Sequence, residues 1–147
     1  MIAVGCDHGG FALKQEVLAY LEKKGYEYQD FGTYDTESCD YPVYGEKVAR
    51  AVASGACEKG LLFCGTGIGI SLAANRVKGI RAVVCSEPYS AEMSRRHNNA
   101  NILCLGGRVV DPALAEKIVD VWLHTEFEGG RHARRVEMLD DIAPESK

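Results

Sequence analysis

No two of the six cysteines, at positions 6, 39, 57, 64, 85 and 104, stand in a Cys-x-x-Cys pair, which excludes the usual spacing of a structural zinc site or a thioredoxin-type centre. Several lie inside apolar runs, as reduced core thiols do. The chain also lacks any run of about 18 apolar residues, so no segment reads as a membrane-spanning helix and no membrane partner is expected. Its start, Met1-Ile-Ala-Val-Gly-Cys-Asp7, has neither the basic opening nor the long apolar stretch of a signal peptide, and a cytoplasmic location is the expectation. A basic excess is missing too. The net charge of −4 argues against nucleic acid as the main partner. Finally, there is no Gly-Lys-Ser/Thr, and hence no Walker-type phosphate loop.

With 147 residues and 46% hydrophobic content, the chain suits one domain, 1–147, with enough apolar material for a core. Its pattern is a repeated strand and helix. Ile2–Cys6 reads as a strand, and Gly9-Gly10 opens a helix carrying Phe11, Leu13, Val17, Leu18 and Leu21 up to Gly25. Tyr26–Phe31 reads as a second strand. A turn-rich loop, 32–42, leads into a helix through Val43, Val48 and Val52 that stops at Gly55. Leu61–Phe63, Ile80–Cys85 and Ile102–Leu105 read as three more strands, with helices over Ile68–Asn75, near Ser90–Arg96, and from Asp111-Pro112 through Trp122. Strands that are apolar throughout and alternate with helices predict a three-layer α/β/α, Rossmann-like sandwich around a five-stranded parallel sheet. The segment 126–142 follows the last unit as a helical piece expected to pack on a partner subunit, and the tail from Pro144 to Lys147 is expected to lack order.

In such a fold, ligands bind beyond the carboxyl ends of the strands. That rule places Asp7-His8, Cys64-Gly-Thr-Gly, Ser86-Glu87 and Gly106-Gly-Arg108 on one rim, with Arg95–Asn101 leading back into the sheet. The stretch Cys64-Gly-Thr-Gly-Ile-Gly-Ile-Ser71 is the most informative. An apolar strand ends in a thiol and enters a loop with glycine at three alternate positions, followed by a helix start. The amides of Gly65–Gly69 can turn inward there, and the helix adds roughly half a positive charge. That arrangement suits a thiol base and an oxyanion. A strand-end cysteine also serves as plain packing, and the loop alone leaves both readings open.

Two basic islands stand out in this acidic chain: Arg95-Arg-His97, and Arg131-His-Ala-Arg-Arg135 after two glycines. Together they suit a small anionic ligand, although arginine-rich helix ends are often only solvated. Four chemistries compete for these features. A dinucleotide site is weak, because Gly65-x-Gly-x-Gly69 follows the third strand and lacks the third glycine at the fingerprint spacing. A cysteine phosphatase needs Cys-x5-Arg, and Ile70 occupies the arginine position. The Walker loop is absent. Proton transfer on a phosphorylated sugar remains, with arginines on the phosphate and the glycine loop on an enediolate.

Taken in order, Asp7-His-Gly-Gly10, Asp40-Tyr-Pro42, Cys64-Gly-Thr-Gly-Ile-Gly-Ile-Ser71, Arg81-Ala82, His97-Asn-x-Ala-Asn101, Gly107-Arg-Val-Val110 and Gly129-Gly-Arg-His-x-x-Arg135 closely resemble the type B ribose-5-phosphate isomerases. The resemblance spans residues 1 to about 142. It implies a cofactor-free and metal-free aldose–ketose isomerase acting on a phosphorylated pentose. Asp7 and His97 would open the furanose ring, and Cys64 would move a proton between C2 and C1. Thr66 would assist transfer between O1 and O2. The backbone of Gly65, Gly67, Ile68 and Gly69, with Ser71 and Asn98, would hold the substrate and its enediolate. His8, Arg131 and Arg135 would contact phosphate, with Arg108 reaching in from a partner subunit. Some relatives use a glutamate further along instead of the cysteine, but Ser71 and Leu72 offer no carboxylate. The family forms homodimers or dimers of dimers with shared sites. Alternatives are a six-carbon substrate, allose 6-phosphate or galactose 6-phosphate, and a non-catalytic sugar-phosphate sensor. His124 and His132 read as surface residues, His132 with a possible phosphate contact, and Cys39 as a loop thiol without a partner at useful spacing.

Overall fold

The computed structural model describes residues 1–142, which leaves the tail 144–147 outside the described residues. The described chain runs β1 (Ile2–Cys6), α1 (Phe11–Lys24), β2 (Tyr28–Asp30), α2 (Tyr41–Ala53), β3 (Lys59–Cys64), α3 (Ile68–Ala74), β4 (Ala82–Val84), α4 (Pro88–Arg96), β5 (Ile102–Gly106), α5 (Pro112–His124) and α6 (Arg131–Asp140). All strand pairs are parallel, in the order β2-β1-β3-β5-β4. This is the expected five-stranded α/β/α sandwich.

Local chemistry sets the element ends. Gly25, at φ 80°, takes the left-handed conformation that closes α1. Asp111 accepts the Leu114 N–H at 2.8 Å, and Pro112 begins α5 where a missing N–H costs nothing. Glu87 caps α4 in the same way through the Ser90 N–H. The two edge strands are shorter than their apolar patterns suggest. The Tyr26 N–H turns back to the Leu21 carbonyl, and the Ile80 N–H to that of Val77, so both residues serve the preceding turn and not the ladder.

The pleat sorts the strand residues between two cores. Val4, Leu61, Phe63, Leu103 and Leu105 face one layer with α1, α5 and Trp122. Ala3, Leu62, Cys64, Ile102 and Cys104 face the other, with Val48, Val52, Ile70 and Ala74 of α2 and α3. Each fully buried Leu or Phe contributes about 1.5–3 kcal/mol to this three-layer stack.

From β1 the chain goes to β2 on one side, and then crosses to β3 on the other. The carboxyl ends of β1 and β3 therefore flank a switch point, where the outgoing connections diverge and leave a crevice. Asp7 follows β1 and Cys64 ends β3 at this crevice.

Candidate active site

Cys64 is 5% exposed, and its Sγ accepts the Gly67 N–H at 3.1 Å. Gly67 takes φ 81°, and a Cβ on it would stand 3.0 Å from the Leu105 carbonyl carbon, so both the turn and the space call for glycine. Among the described residues, the Gly65, Thr66 and Gly69 amides meet no acceptor within the chain. The Thr66 hydroxyl accepts the Ile68 N–H at 3.2 Å, and Ile68 itself is 54% exposed. Ser71 is buried and donates its hydroxyl to the Ile68 carbonyl at 2.6 Å, which ties it to the helix backbone.

Cys6, Cys85 and Cys104 are shut inside the core. Burial pushes Cys6 up to about 12 and Cys85 up to about 11, and raises the fully enclosed Cys104 well above the thiol range. These are packing thiols, protonated at neutral pH.

Beside the loop, Asp7 is 7% exposed and its Oδ1 accepts the Gly9 and Gly10 N–H groups at 2.9 and 3.1 Å, which fixes the turn leading into α1. His8 is half-buried next to it. Arg108 lies on the same rim: its N–H donates to the Gly65 carbonyl at 3.0 Å, and its guanidinium would be 2.8 Å from a Cβ at Gly65. The arginine that the resemblance assigns to a partner's site thus covers the loop of its own chain.

The remaining candidates lie at the opposite end of the sheet. Helix α4 starts beyond the carboxyl end of β4 and runs back, so His97 caps it near the strands' amino ends. Two contacts fix this. The Asn101 carbonyl accepts the N–H of Gly60, at the start of β3, and Arg95 and Lys59 both lie 5.7 Å from the Trp122 ring. Strand β3 has six residues, a span of about 17 Å between Lys59 and Cys64. His97, Asn98, Arg131 and Arg135 therefore form a second group, remote from Cys64 within one chain. Helix α6 joins it through the Arg81–Asp140 pair at 3.1 Å and the Glu128 N–H to Arg96 carbonyl bond at 3.1 Å. The reading of residues 95–101 as leading back into the sheet holds, and it carries His97 away from the Cys64 rim.

His132 is not a plain surface residue. Its side chain is 12% exposed, and its ring stacks on His97 with centroids 4.3 Å apart and 13° between planes. Burial first, then the neighbouring charges of His97 and Arg131, hold it below the ordinary imidazole range. Both Nε2 atoms point to Glu128 Oε1, at 3.9 and 3.8 Å. His97, Glu128 and His132 could offer three metal donors within 4.8 Å. The rings are stacked and nearly parallel, so their in-plane lone pairs do not converge on one tetrahedral ion as arranged. The only sequence signal for it was a histidine inside the arginine island. Cys39 also gains a partner through the fold, since its N–H donates to His8 Nδ1 at 3.2 Å.

The ribose/galactose isomerase family profile matches residues 2–139. This chain belongs to that family. It is 57% identical over 141 residues to ribose-5-phosphate isomerase B of Escherichia coli, covering 96% of this chain and 95% of that protein. It is 43% identical over 140 residues to D-erythrulose-4-phosphate isomerase of Pectobacterium atrosepticum, covering 94% and 91%. Among solved structures, ribose-5-phosphate isomerase B of Clostridium thermocellum superposes with a TM-score of 0.94 at 58% identity, covering 95% of each chain. The Thermotoga maritima ribose 5-phosphate isomerase gives 0.94 at 50% identity, covering 96% and 97%. Like these relatives, the chain is a sugar-phosphate isomerase by family, and among the described residues no helix is long and apolar enough to cross a membrane.

Proposed function

We propose that this isomerase interconverts ribose 5-phosphate and ribulose 5-phosphate at a site shared between two copies of the chain, with Cys64 as the base. The reading is carried by the Cys64 sulfur, held by the Gly67 amide at the mouth of a loop whose Gly65, Thr66 and Gly69 amides meet no acceptor among the described residues, at the switch point of the sheet. The names of relatives 57% and 58% identical support the five-carbon substrate. The four-carbon sugar phosphate in the name of the relative 43% identical supports a second, shorter substrate as the alternative.

Asp7 and His97 open the furanose, one taking the O1 proton while the other protonates the ring oxygen. The Cys64 thiolate takes the proton on C2, and the electron pair forms the C1–C2 double bond of a cis-enediolate with its charge on O1. The amides of Gly65, Thr66 and Gly69, with Asn98, stabilise that charge. Thr66 relays the O2 proton to O1, the Cys64 thiol returns its proton to C1, and the carbonyl now stands at C2. Hydrogen merely changes carbon, so the sequence needs no external oxidant or reductant. His8, Arg108, Arg131 and Arg135 bind phosphate, a contact remote from the reacting carbons whose binding energy serves orientation.

Sharing follows from chain geometry. Asp7, His8, Cys64 and Arg108 stand at one end of the sheet and His97, Asn98, Arg131 and Arg135 at the other, which supports a second copy supplying one half. The exposed Ile68 and Leu72 of α3, at 54% and 63%, and the arginine face of α6 are surfaces available for that contact. The testing experiment is turnover of ribose 5-phosphate by wild type and Cys64→Ala in EDTA, with four- and six-carbon sugar phosphates in parallel. Turnover that persists in EDTA and collapses in the variant supports the reading. Binding of sugar phosphate without turnover of any of them would replace it with a sensor.

A further inference from the structure

His8 and Cys39 are 31 residues apart in sequence, yet the Cys39 N–H donates to His8 Nδ1 at 3.2 Å, with the Cys39 Sγ 4.0 Å from the same nitrogen. We infer that the Cys39 backbone amide is a positioning group: it locks His8 in the tautomer with its proton on Nε2, so that the ring presents a donor to the substrate's phosphate. The inference rests on the phosphate-binding role proposed for His8.

The chemistry runs from one lone pair. An N–H donates only to an unprotonated ring nitrogen, so Nδ1 accepts and the neutral ring carries its hydrogen on Nε2. The opposite tautomer would set two N–H groups against each other. A ring free to change tautomer would offer phosphate a lone pair part of the time, and an oxyanion gains nothing from that. Held as found, His8 is a donor in every molecule.

The amide can do this because the root of its loop is fixed. Lys14 is completely buried, and its ammonium donates to Asp30 Oδ1 and Oδ2 at 2.8 and 2.9 Å and to the Thr33 carbonyl at 2.6 Å. Asp30 Oδ1 also accepts the Gly32 N–H at 2.9 Å. Gly32 and Thr33 bond Cys6, the last residue of β1, in both directions at 2.7 Å. The loop 33–40 thus leaves a pinned base, passes over the end of β1, and enters α2 at Tyr41. A segment with no reacting atom sets the donor pattern of the anion site.

The test begins with the full-length wild type, labelled with 15N, and needs no variant for its first answer. Long-range proton–nitrogen correlation of the imidazoles, with His8 assigned by the signals missing in His8→Gln, reads the tautomer directly. The expected result is Nε2–H for His8, with inorganic phosphate perturbing that nitrogen. Cys39→Ala keeps its N–H and should match wild type, whereas Cys39→Pro has none and should show mixed tautomers. In steady state the proline variant should raise KM about tenfold with kcat held, consistent with one lost hydrogen bond to a binding group. An Nδ1–H tautomer in wild type overturns the inference, as does a proline variant with unchanged tautomer and KM. Because the nitrogen signals do not depend on turnover, a failure of the proposed reaction would be seen separately.

Discussion

The Gly67 amide and the Cys64 sulfur are 3.1 Å apart, three residues from each other across the turn that starts α3. This contact distinguishes Cys64, the proposed base, from the buried thiols of Cys6, Cys85 and Cys104. Cys64→Ala is expected to lower kcat by at least about 10²-fold, with KM and melting temperature little changed, because a proton-transfer group is removed and a small side chain remains. Gly67→Ala should also lower kcat, since φ 81° and the nearby Leu105 backbone force the turn to move. Steady-state kinetics on both variants checks this, and an active Cys64→Ala would remove the thiol from the mechanism.

The proposed site, shared between two chains, predicts complementation. Cys64→Ala and His97→Asn homo-oligomers are each expected to be nearly inactive. Unfolded together and refolded as a mixture, they should regain about a quarter of wild-type activity, because half the pairs are mixed and one of their two sites is intact. If Cys64 and His97 worked within one chain, every site in the mixture would carry a defect, and activity would stay at the level of the single variants.

Gly10 marks where α1 lies closest to the sheet: a Cβ there would be 2.3 Å from the Phe63 carbonyl carbon, immediately before Cys64. Both sides of that contact are backbone, and neither can yield without moving the strand or the helix. Gly10→Ala is expected to destabilise the fold by about 1–3 kcal/mol or more. Urea unfolding followed by the fluorescence of Trp122, the single and fully buried tryptophan, measures it. An unchanged midpoint would mean that α1 shifts freely on the sheet.

His132 gives stability a pH dependence of defined sign. Held below the ordinary imidazole range, it binds fewer protons folded than unfolded just below pH 6.5. Its contribution is complete above that value and is lost as pH falls through the folded-state pKa. The groups facing it are His97, Arg131 and Arg135, which oppose its charge, and Glu128, which favours it. The urea midpoint should therefore drop between pH 7.5 and 5.5, and drop less in His132→Asn. An equal fall in both proteins would place the titration elsewhere.

The order of elements was legible in the sequence because the central strands are apolar runs and several helix starts carry a local signal, such as Asp111-Pro112 or the glycines after Cys64. These are short-range effects, and a single chain displays them. The placement of Cys64 at a strand end follows from the same rules. What the sequence could not show is which candidates meet. Parallel pairing of β4 and β5 sends α4 back along the sheet, and so parts His97 from Cys64, although both belong to one motif set. The same path lays His132 on His97 and brings the Cys39 amide to His8. Such contacts join residues about 30 positions apart through the packing of whole layers, and periodicity or capping carries no trace of them. Composition and local pattern determined the fold class and the kinds of chemistry present. Only the tertiary structure decided which distant side chains meet, His132 on His97 and the Cys39 amide on His8, because such contacts depend on how whole layers pack.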